Sequence, residues 1–480
     1  MSLGKKALSG ALWNLFQRAG TALIEFLVTL ILARYLSPGE FGLLAMMALF
    51  IAIANNVMDS GFTEALIRKS DVKSVDLDTV FYSNLVMGMV AYTILFFSAP
   101  IIAGFYQEEK LLNLIRVTGL VVLINASRMV HVAILSRKLN FKRQLQATIP
   151  AVIISGVVAV TLAQAGVGAW SLVVQMLVTA FVSSGIYWRL SIWRPGFRFR
   201  RSTFRELFGF GSRLFGANLN NIVFENIYVL VIARIFSATV AGHYFLADKI
   251  KNMLLQLLVG TMQTVMYPAF ASIQNETEKL KSGFRQIVKV TTFILFPLLL
   301  FVAALAKPLF SFLLPEDWSS AAPYLQLLCF TGLLYPLHAI NLNVLKVKGR
   351  SELILYLDII KKLFMIFVLF LSYRFGVIGI LIGQFVGSVI SYVPNSYYSS
   401  RLIGYSIKEQ LADIYPSLLL SAAIAGAVFV LVELLPLTSE LQLTILGLAS
   451  VAAYLGLAVM FNMSSMQIAV SIFGIMRIQK

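Results

Sequence analysis

Apolar residues run along this chain in blocks of 20 or so, separated by short polar connections. At roughly 1.5 Å per helical residue such a block spans a bilayer. The pattern predicts fourteen spans, at 11–34, 41–66, 78–104, 112–134, 146–165, 168–188, 208–236, 241–267, 286–306, 320–344, 352–373, 377–399, 414–434 and 442–461. Each block satisfies its own backbone groups as a helix, which the absence of water in the bilayer core demands. The expected fold class is therefore an all-α integral membrane protein with about 14 transmembrane helices. Lys5 and Lys6 give the first block a basic start. Its apolar stretch nevertheless continues to Arg34 without an Ala-x-Ala site, so it reads as an uncleaved span rather than a signal peptide.

The first block returns 200 residues later. Leu23 to Ser37 aligns without a gap on Val223 to Ser237, and Glu25, Leu30, Ala33, Arg34, Ser37 and Gly42 recur as Glu225, Leu230, Ala233, Arg234, Ser237 and Gly242. A second pair continues the duplication: Gly166-Val167-Gly168 leads into span six with Gln175, and Gly376-Val377-Ile378-Gly379 into span twelve with Gln384. Six spans separate the copies, an even number, so both run in the same direction. That is a parallel repeat about an axis along the membrane normal, one of the transporter symmetries. It predicts two six-helix lobes, 1–206 and 207–405, around a central cavity, with spans thirteen and fourteen (406–480) as an appendage poor in polar residues.

Composition agrees with the pattern. Of 480 residues 59% are hydrophobic and 13% charged, with a mean hydropathy of +0.84, whereas a soluble domain has about a quarter of its residues charged. The net charge of +17 changes the picture only through its distribution. Lys and Arg gather in the even-numbered connections: Arg68, Lys69 and Lys73; Arg137, Lys138, Lys142 and Arg143; Arg189 to Arg205; Lys279, Lys281 and Arg285; Lys346, Lys348 and Arg350. The odd-numbered connections are short and nearly free of them. By the positive-inside rule the even connections and both termini face the cytoplasm. The aromatic and arginine run from Trp193 to Arg201 then reads as a linker between lobes lying on anionic headgroups, not as a nucleic-acid surface. Cys329 is the only cysteine, and His131, His243 and His338 lack ligand spacing, so neither a disulfide nor a metal centre is expected.

Candidate chemistry lies in polar residues at membrane depth. Span one carries Arg18 about 9 Å from its start and Glu25 about 10 Å further on, on one face with Thr21. Span seven places Asn218, Asn221 and Glu225 on the matching face, with Arg213 near its entry. Span two adds Asn56, Asp59 and Thr63, and span eight Lys249, Asn252, Gln256, Gly260 and Gln263 along one stripe. An Arg, Lys or Asp at a helix centre costs roughly 2.5–3.5 kcal/mol on insertion scales. A water-filled cavity between the halves is the economical place for these residues. Asp358 and Lys362, four apart, suit local pairing as well as substrate contact, and Arg34 and Arg234 suit helix-end anchoring.

Several short motifs carry a family resemblance. They are Ser9-Gly10-x-x-Trp13, Ala33-Arg34-x-Leu36-Ser37-Pro38-x-x-Phe41-Gly42 and Asp59-Ser60-Gly61-Phe62-x-x-Ala65-Leu66-Ile67-Arg68. With Phe81-Tyr82-x-Asn84, Leu139-Asn140-Phe141-Lys142, Trp193-Arg194-Pro195 and Tyr267-Pro268-Ala269-Phe270, the chain resembles bacterial O-antigen and exopolysaccharide flippases, especially their colanic-acid-exporter-like branch. These motifs cover roughly the first 270 residues. The resemblance implies membership of the superfamily that holds multidrug exporters and the lipid II flippase, with two six-helix bundles working by alternating access in the cytoplasmic (inner) membrane. It implies a substrate, an undecaprenyl-pyrophosphate-linked oligosaccharide, turned from the cytoplasmic to the periplasmic leaflet for lipopolysaccharide or exopolysaccharide synthesis. Arg18, Arg213 and Lys249 suit a pyrophosphate, and the amide stripes suit sugar hydroxyls. No bound cofactor is expected; coupling to H+ or Na+ stays open. Partners implied are the lipid-linked oligosaccharide, the bilayer, and the polymerase and chain-length regulator of polysaccharide assembly, with no nucleic acid.

Three rivals are weaker. A cation-coupled multidrug exporter favours an acidic cavity, whereas these stripes mix cations, acids and amides. A membrane enzyme of polysaccharide assembly needs a large outer loop, and no outer connection here exceeds about fifteen residues. A scaffold that merely kept the fold gains nothing from intramembrane charges.

Overall fold

The computed structural model describes residue 13, residues 20–256, residue 266 and residues 270–470. Every regular element among the described residues is helical. Ten of these helices are long and apolar enough to cross a membrane, or eleven if the pair Lys110–Ala126 and Met129–Arg137, bent by 44°, is one span. One of the ten, Ser351–Ile403, is a 53-residue segment covering the expected eleventh and twelfth spans. The expected first and eighth spans fall partly on residues outside the described set.

The helices are α1 Gly20–Ala33, α2 Pro38–Asp59, α3 Phe62–Arg68, α4 Ser74–Tyr106, α5 Lys110–Thr118, α6 Leu120–Ala126, α7 Met129–Arg137, α8 Phe141–Gln164, α9 Trp170–Leu190, α10 Arg201–Ile235 and α11 Ala238–Leu255. After these come α12 Thr277–Ala304, α13 Ala306–Leu313, α14 Ala322–Leu333, α15 Tyr335–Val347, α16 Ser351–Ser372, α17 Gly376–Ile403, α18 Ile407–Leu434 and α19 Ser439–Met460. The chain divides into two compact units, Met1–Phe245 and Leu246–Lys480. The repeat follows chain order, whereas these units follow packing: α10 lies against α2, α3 and α4 and so belongs with the first unit.

In the first unit, a capping box opens α2. The Ser37 N–H and hydroxyl both donate to Glu40 Oε2, at 2.7 and 3.1 Å, and Pro38 occupies the first turn, where no N–H is needed. Ser60 and Gly61 end it in the left-handed region, with φ of 46° and 74°. There a Cβ on Gly61 would stand 2.4 Å from the Gly211 carbonyl oxygen, so the turn rides directly on the α10 backbone. Phe62, Leu66, Phe81, Val130 and Leu207 form a buried core below it, edged by Trp188, Trp193 and Phe204.

The stretch between α9 and α10 is not loose. Gly196 N–H donates to Asp78 Oδ1 (3.1 Å), Arg200 N–H to Thr79 Oγ1 (3.1 Å) and Thr203 Oγ1 to Asp76 Oδ1 (2.8 Å). The buried first turn of α4, rich in acceptors, thus straps the linker down. Residues expected in that linker also join α10, which begins at Arg201.

In the second unit α18 packs along α12. Arg285 makes a bidentate pair with Asp413 (Nε–Oδ2 2.6 Å, Nη2–Oδ1 2.9 Å), Lys289 approaches the same carboxylate at 3.2 Å, and Lys281 pairs with Glu409 at 2.8 Å. A buried amide and hydroxyl network follows: Asn341 donates to Gln410 Oε1 (3.0 Å), and Tyr392 Oη donates to the same oxygen (2.8 Å). The thirteenth span is therefore held by charge and hydrogen bonds at its polar first turns, and is more than an apolar appendage.

Candidate functional site

The repeat read from the sequence meets itself in the first unit. Gly42, in the first turns of α2, and Gly242, in the first turns of α11, lie backbone against backbone. A Cβ on Gly42 would stand 1.8 Å from the Ala238 oxygen, and one on Gly242 would stand 1.8 Å from the Pro38 oxygen. The contact is reciprocal, and only glycine permits it.

Of the predicted site residues, Glu25, Asn56, Asp59, Arg213, Asn218, Asn221 and Glu225 lie in the first unit, and Lys249, Asn252 and Gln256 in the second. Arg18 lies outside the described residues, as do Gly260 and Gln263. Asn56 donates from Nδ2 to the Phe215 oxygen (3.2 Å), tying α2 to α10. Asp59 Oδ1 accepts from the Thr63 hydroxyl at 2.5 Å and from the Thr63 N–H at 3.3 Å, which secures the α2–α3 turn. Asn252 Nδ2 donates to Asp248 Oδ2 (2.7 Å), and Lys251 pairs with the other oxygen of that carboxylate (2.5 Å). Lys249 is half-buried and Gln256 exposed.

Span seven differs from these. Arg213, Asn218, Asn221 and Glu225 are all exposed, together with Asn220. Only 11% of the most apolar window of α10 is buried inside the protein, the smallest share among the ten candidate spans. Asn218, Asn221 and Glu225 stand at i, i+3 and i+7, so they form one ridge. Exposed amides and a carboxylate on a spanning helix are incompatible with lipid, which leaves a watery face. Glu25 is also exposed, on α1, among the exposed apolar side chains Leu23 and Leu27.

Two polar groups at depth lie outside the polar stripes. Asp248 sits one residue before Lys249 and organises Lys251 and Asn252. Arg128 stands at the break between α6 and α7, donating to Ser183 Oγ at 2.6 Å. Its signal was available, an arginine inside the expected fourth span, but a hydropathy window absorbs a single charge. The anchoring and pairing expectations can be placed too: the Arg234 guanidinium lies 5.4 Å from the Phe105 ring centroid, and Lys362 pairs with Asp358 at 2.6 Å.

The second unit also holds an apolar groove of about 600 Å3, walled by Leu300, Ala304, Leu327, Phe330, Ala425 and Phe429. Its wall is almost wholly hydrocarbon, so it suits a lipid chain and not a sugar. Among the described residues no group of His, Cys, Asp and Glu has the arrangement of a metal site.

Comparison with known proteins places these features. A family model described as polysaccharide biosynthesis protein matches residues 31–323. The chain is 29% identical over 469 residues to the teichuronic acid biosynthesis protein TuaB of Bacillus subtilis (strain 168), covering 95% of this chain and 96% of that protein. It is 28% identical over 326 residues to the succinoglycan biosynthesis transport protein ExoT of Rhizobium meliloti (strain 1021), covering 68% of this chain and 66% of that protein. Its fold resembles that of the lipid II flippase MurJ in an inward closed conformation, with a TM-score of 0.74 at 14% identity over 93% of this chain and 98% of that one. A match across more than half its length, on an all-helical membrane fold, makes this chain a member of the polysaccharide biosynthesis protein family.

Proposed function

We propose that the protein is a flippase that carries an undecaprenyl-pyrophosphate-linked oligosaccharide across the cytoplasmic membrane, from the cytoplasmic to the periplasmic leaflet, for surface polysaccharide synthesis. The observation that carries this reading is the exposed ridge Asn218, Asn221 and Glu225 on a spanning helix. Amides and a carboxylate suit hydroxyl-rich sugars, to which they offer both donors and acceptors. Taken by itself, the apolar groove of the second unit suits a prenyl chain. A relative described as a transport protein and a fold neighbour described as a lipid flippase support transport over catalysis.

In this reading both termini and the even-numbered connections are cytoplasmic. The exposed ridge of α10 lines a path for the substrate that opens alternately to either side of the membrane. Arg18, Arg213 and Lys249 are each candidates to meet the pyrophosphate, and H+ or Na+ is the candidate coupling ion. The polymerase and the chain-length regulator take the product onward.

The test is export of surface glycan per unit of membrane-inserted protein in cells lacking the native gene. Replacing Asn218, Asn221 and Glu225 together with leucine should abolish export while the protein stays inserted at its normal level. Normal export by that variant would overturn the assignment of this face.

A further inference from the structure

A second polar site, apart from the spanning stripes, lies in the first unit where α7 ends, α8 begins and the strapped linker leaves α9. There a cavity of about 470 Å3 is walled by Val72, Leu77, Ile134, Leu135 and Leu190. Its polar rim consists of Arg137, Lys138, Asn140, Arg143, Ser191 and Trp193, with no acid among the described lining residues.

The availability of these groups differs. Arg137 is committed, its guanidinium donating to the carbonyls of Leu66 (2.6 Å), Ile67, Lys69 and Ser70 at the end of α3. Asn140 caps α8, accepting from the Arg143 N–H at 3.3 Å. Asp76 and Asp78, close by on α4, are spent on the linker backbone and on Thr203. Lys138 and Arg143 remain exposed and form no ion pair with a described acid; Arg143 makes one long bond, 3.3 Å, to the Leu190 oxygen. Ser191 Oγ, on a residue only 5% exposed, and Trp193 Nε1 have no hydrogen-bond partner among the described residues, but both atoms are closed to solvent and so do not open into the cavity.

We infer that this cavity binds the phosphodiester headgroup of an anionic phospholipid, with the start of an acyl chain against its apolar wall. Two exposed cations, Lys138 and Arg143, with no acid among the lining residues suit a phosphate. The neighbouring surface decides between a lipid and a free phosphate. Ile192, which lines the cavity, is 93% exposed, and Phe197, further along the same linker, is 98% exposed. Fully exposed apolar side chains beside a cationic cavity fit the headgroup and acyl boundary of a membrane and gain nothing in water. The bound lipid would tie the linker to the membrane at the point where α10, the helix with the exposed polar ridge, begins. The inference is independent of the identity of the transported glycan.

Trp193 reports on the site directly. The full-length protein is reconstituted into phosphatidylcholine vesicles containing a minor share of lipid brominated on the acyl chain, as either phosphatidylglycerol or phosphatidylcholine. The Trp193→Phe variant identifies the Trp193 contribution to the fluorescence. Brominated phosphatidylglycerol should quench that component at several-fold lower content than brominated phosphatidylcholine. Lys138→Gln and Arg143→Gln should each weaken this preference by roughly fivefold, and together should abolish it. Should the double variant not fold, Lys138→Gln alone decides, since that exposed side chain holds nothing in place. Equal quenching by the two lipids, or a preference that survives removal of the cations, would overturn the inference. Inorganic phosphate should leave the quenching unchanged; phosphate that displaces the brominated lipid would identify a soluble anion as the occupant and refute the lipid assignment.

Discussion

The crossing of Gly42 and Gly242 makes a quantitative prediction about Gly42→Ala. A methyl group there stands 1.8 Å from the Ala238 oxygen, whereas real Cβ contacts are essentially never under 3.0 Å, so the separation must grow by at least the difference. The obstacle is helix backbone, so no side-chain rotation relieves it. Overpacking of this kind costs about 1–3 kcal/mol or more. If the clash acts only on the conformation in which α2 and α11 cross, the population of that conformation falls by about 5- to 150-fold. The assay uses Ala238→Cys, placed at a position only 8% exposed, in a Cys329→Ala background. In the otherwise unaltered protein this thiol should react slowly with a small water-soluble maleimide. Adding Gly42→Ala should accelerate the reaction by a factor in that range, and Gly242→Ala should do the same because the contact is reciprocal. Equal labelling with and without Gly42→Ala, at an unchanged melting temperature, would refute the reasoning.

Three further outcomes are expected. Asp413→Ala leaves Arg285 and Lys289 facing a gap at the α12–α18 contact, and a charged hydrogen-bonding group of this kind is worth roughly 1.5–3 kcal/mol; the melting temperature of the purified protein should fall measurably, and an unchanged value would show that the pair contributes nothing. Arg18→Ala should abolish glycan export at normal abundance, with Arg18→Lys retaining part of it because a point charge still attracts a pyrophosphate; Arg34→Ala should cost export only in proportion to protein level, and the opposite pattern would exchange the binding and anchoring roles. Reporter fusions after Glu40, Glu108, Glu316 and Ser439 should report the periplasm, and those after Lys73, Arg143, Arg201 and Lys348 the cytoplasm; inversion at two consecutive connections would break the topology.

The fold was legible where the signal is a long average or a local spacing. Among the described residues, ten helices, or eleven counting one bent pair, are long and apolar enough to span, and the i, i+4 relation of Asp358 and Lys362 became an ion pair. What could not be read depends on which distant segments meet. Asp76, Asp78 and Thr79 look like an ordinary polar helix start, and only packing shows that they hold the linker 118 to 127 residues away. The thirteenth span is instructive in another way. A hydropathy threshold begins it at 414, just after Asp413, because charge lowers the average. The same trimming that locates the apolar block thus discards the residue that fixes it to α12.

The candidate site shows the same division between residue type and use. Asn56 and Asn218 are alike by composition, depth and membership of a polar stripe, and nothing in a single sequence distinguishes them. In the folded protein Asn56 spends its amide on the Phe215 oxygen, while Asn218 remains exposed. The first fastens two helices and the second stays uncovered, because a buried amide must find its partner inside the protein and an exposed one can find it in a ligand. The recurrence of Glu25 as Glu225 drew attention to α1 and α10, since a carboxylate costs too much in lipid to recur there by composition alone. It could not show that α10 would keep so much of its polar face uncovered, because the neighbours that cover or uncover a helix face are chosen by the whole packing and not by the helix itself.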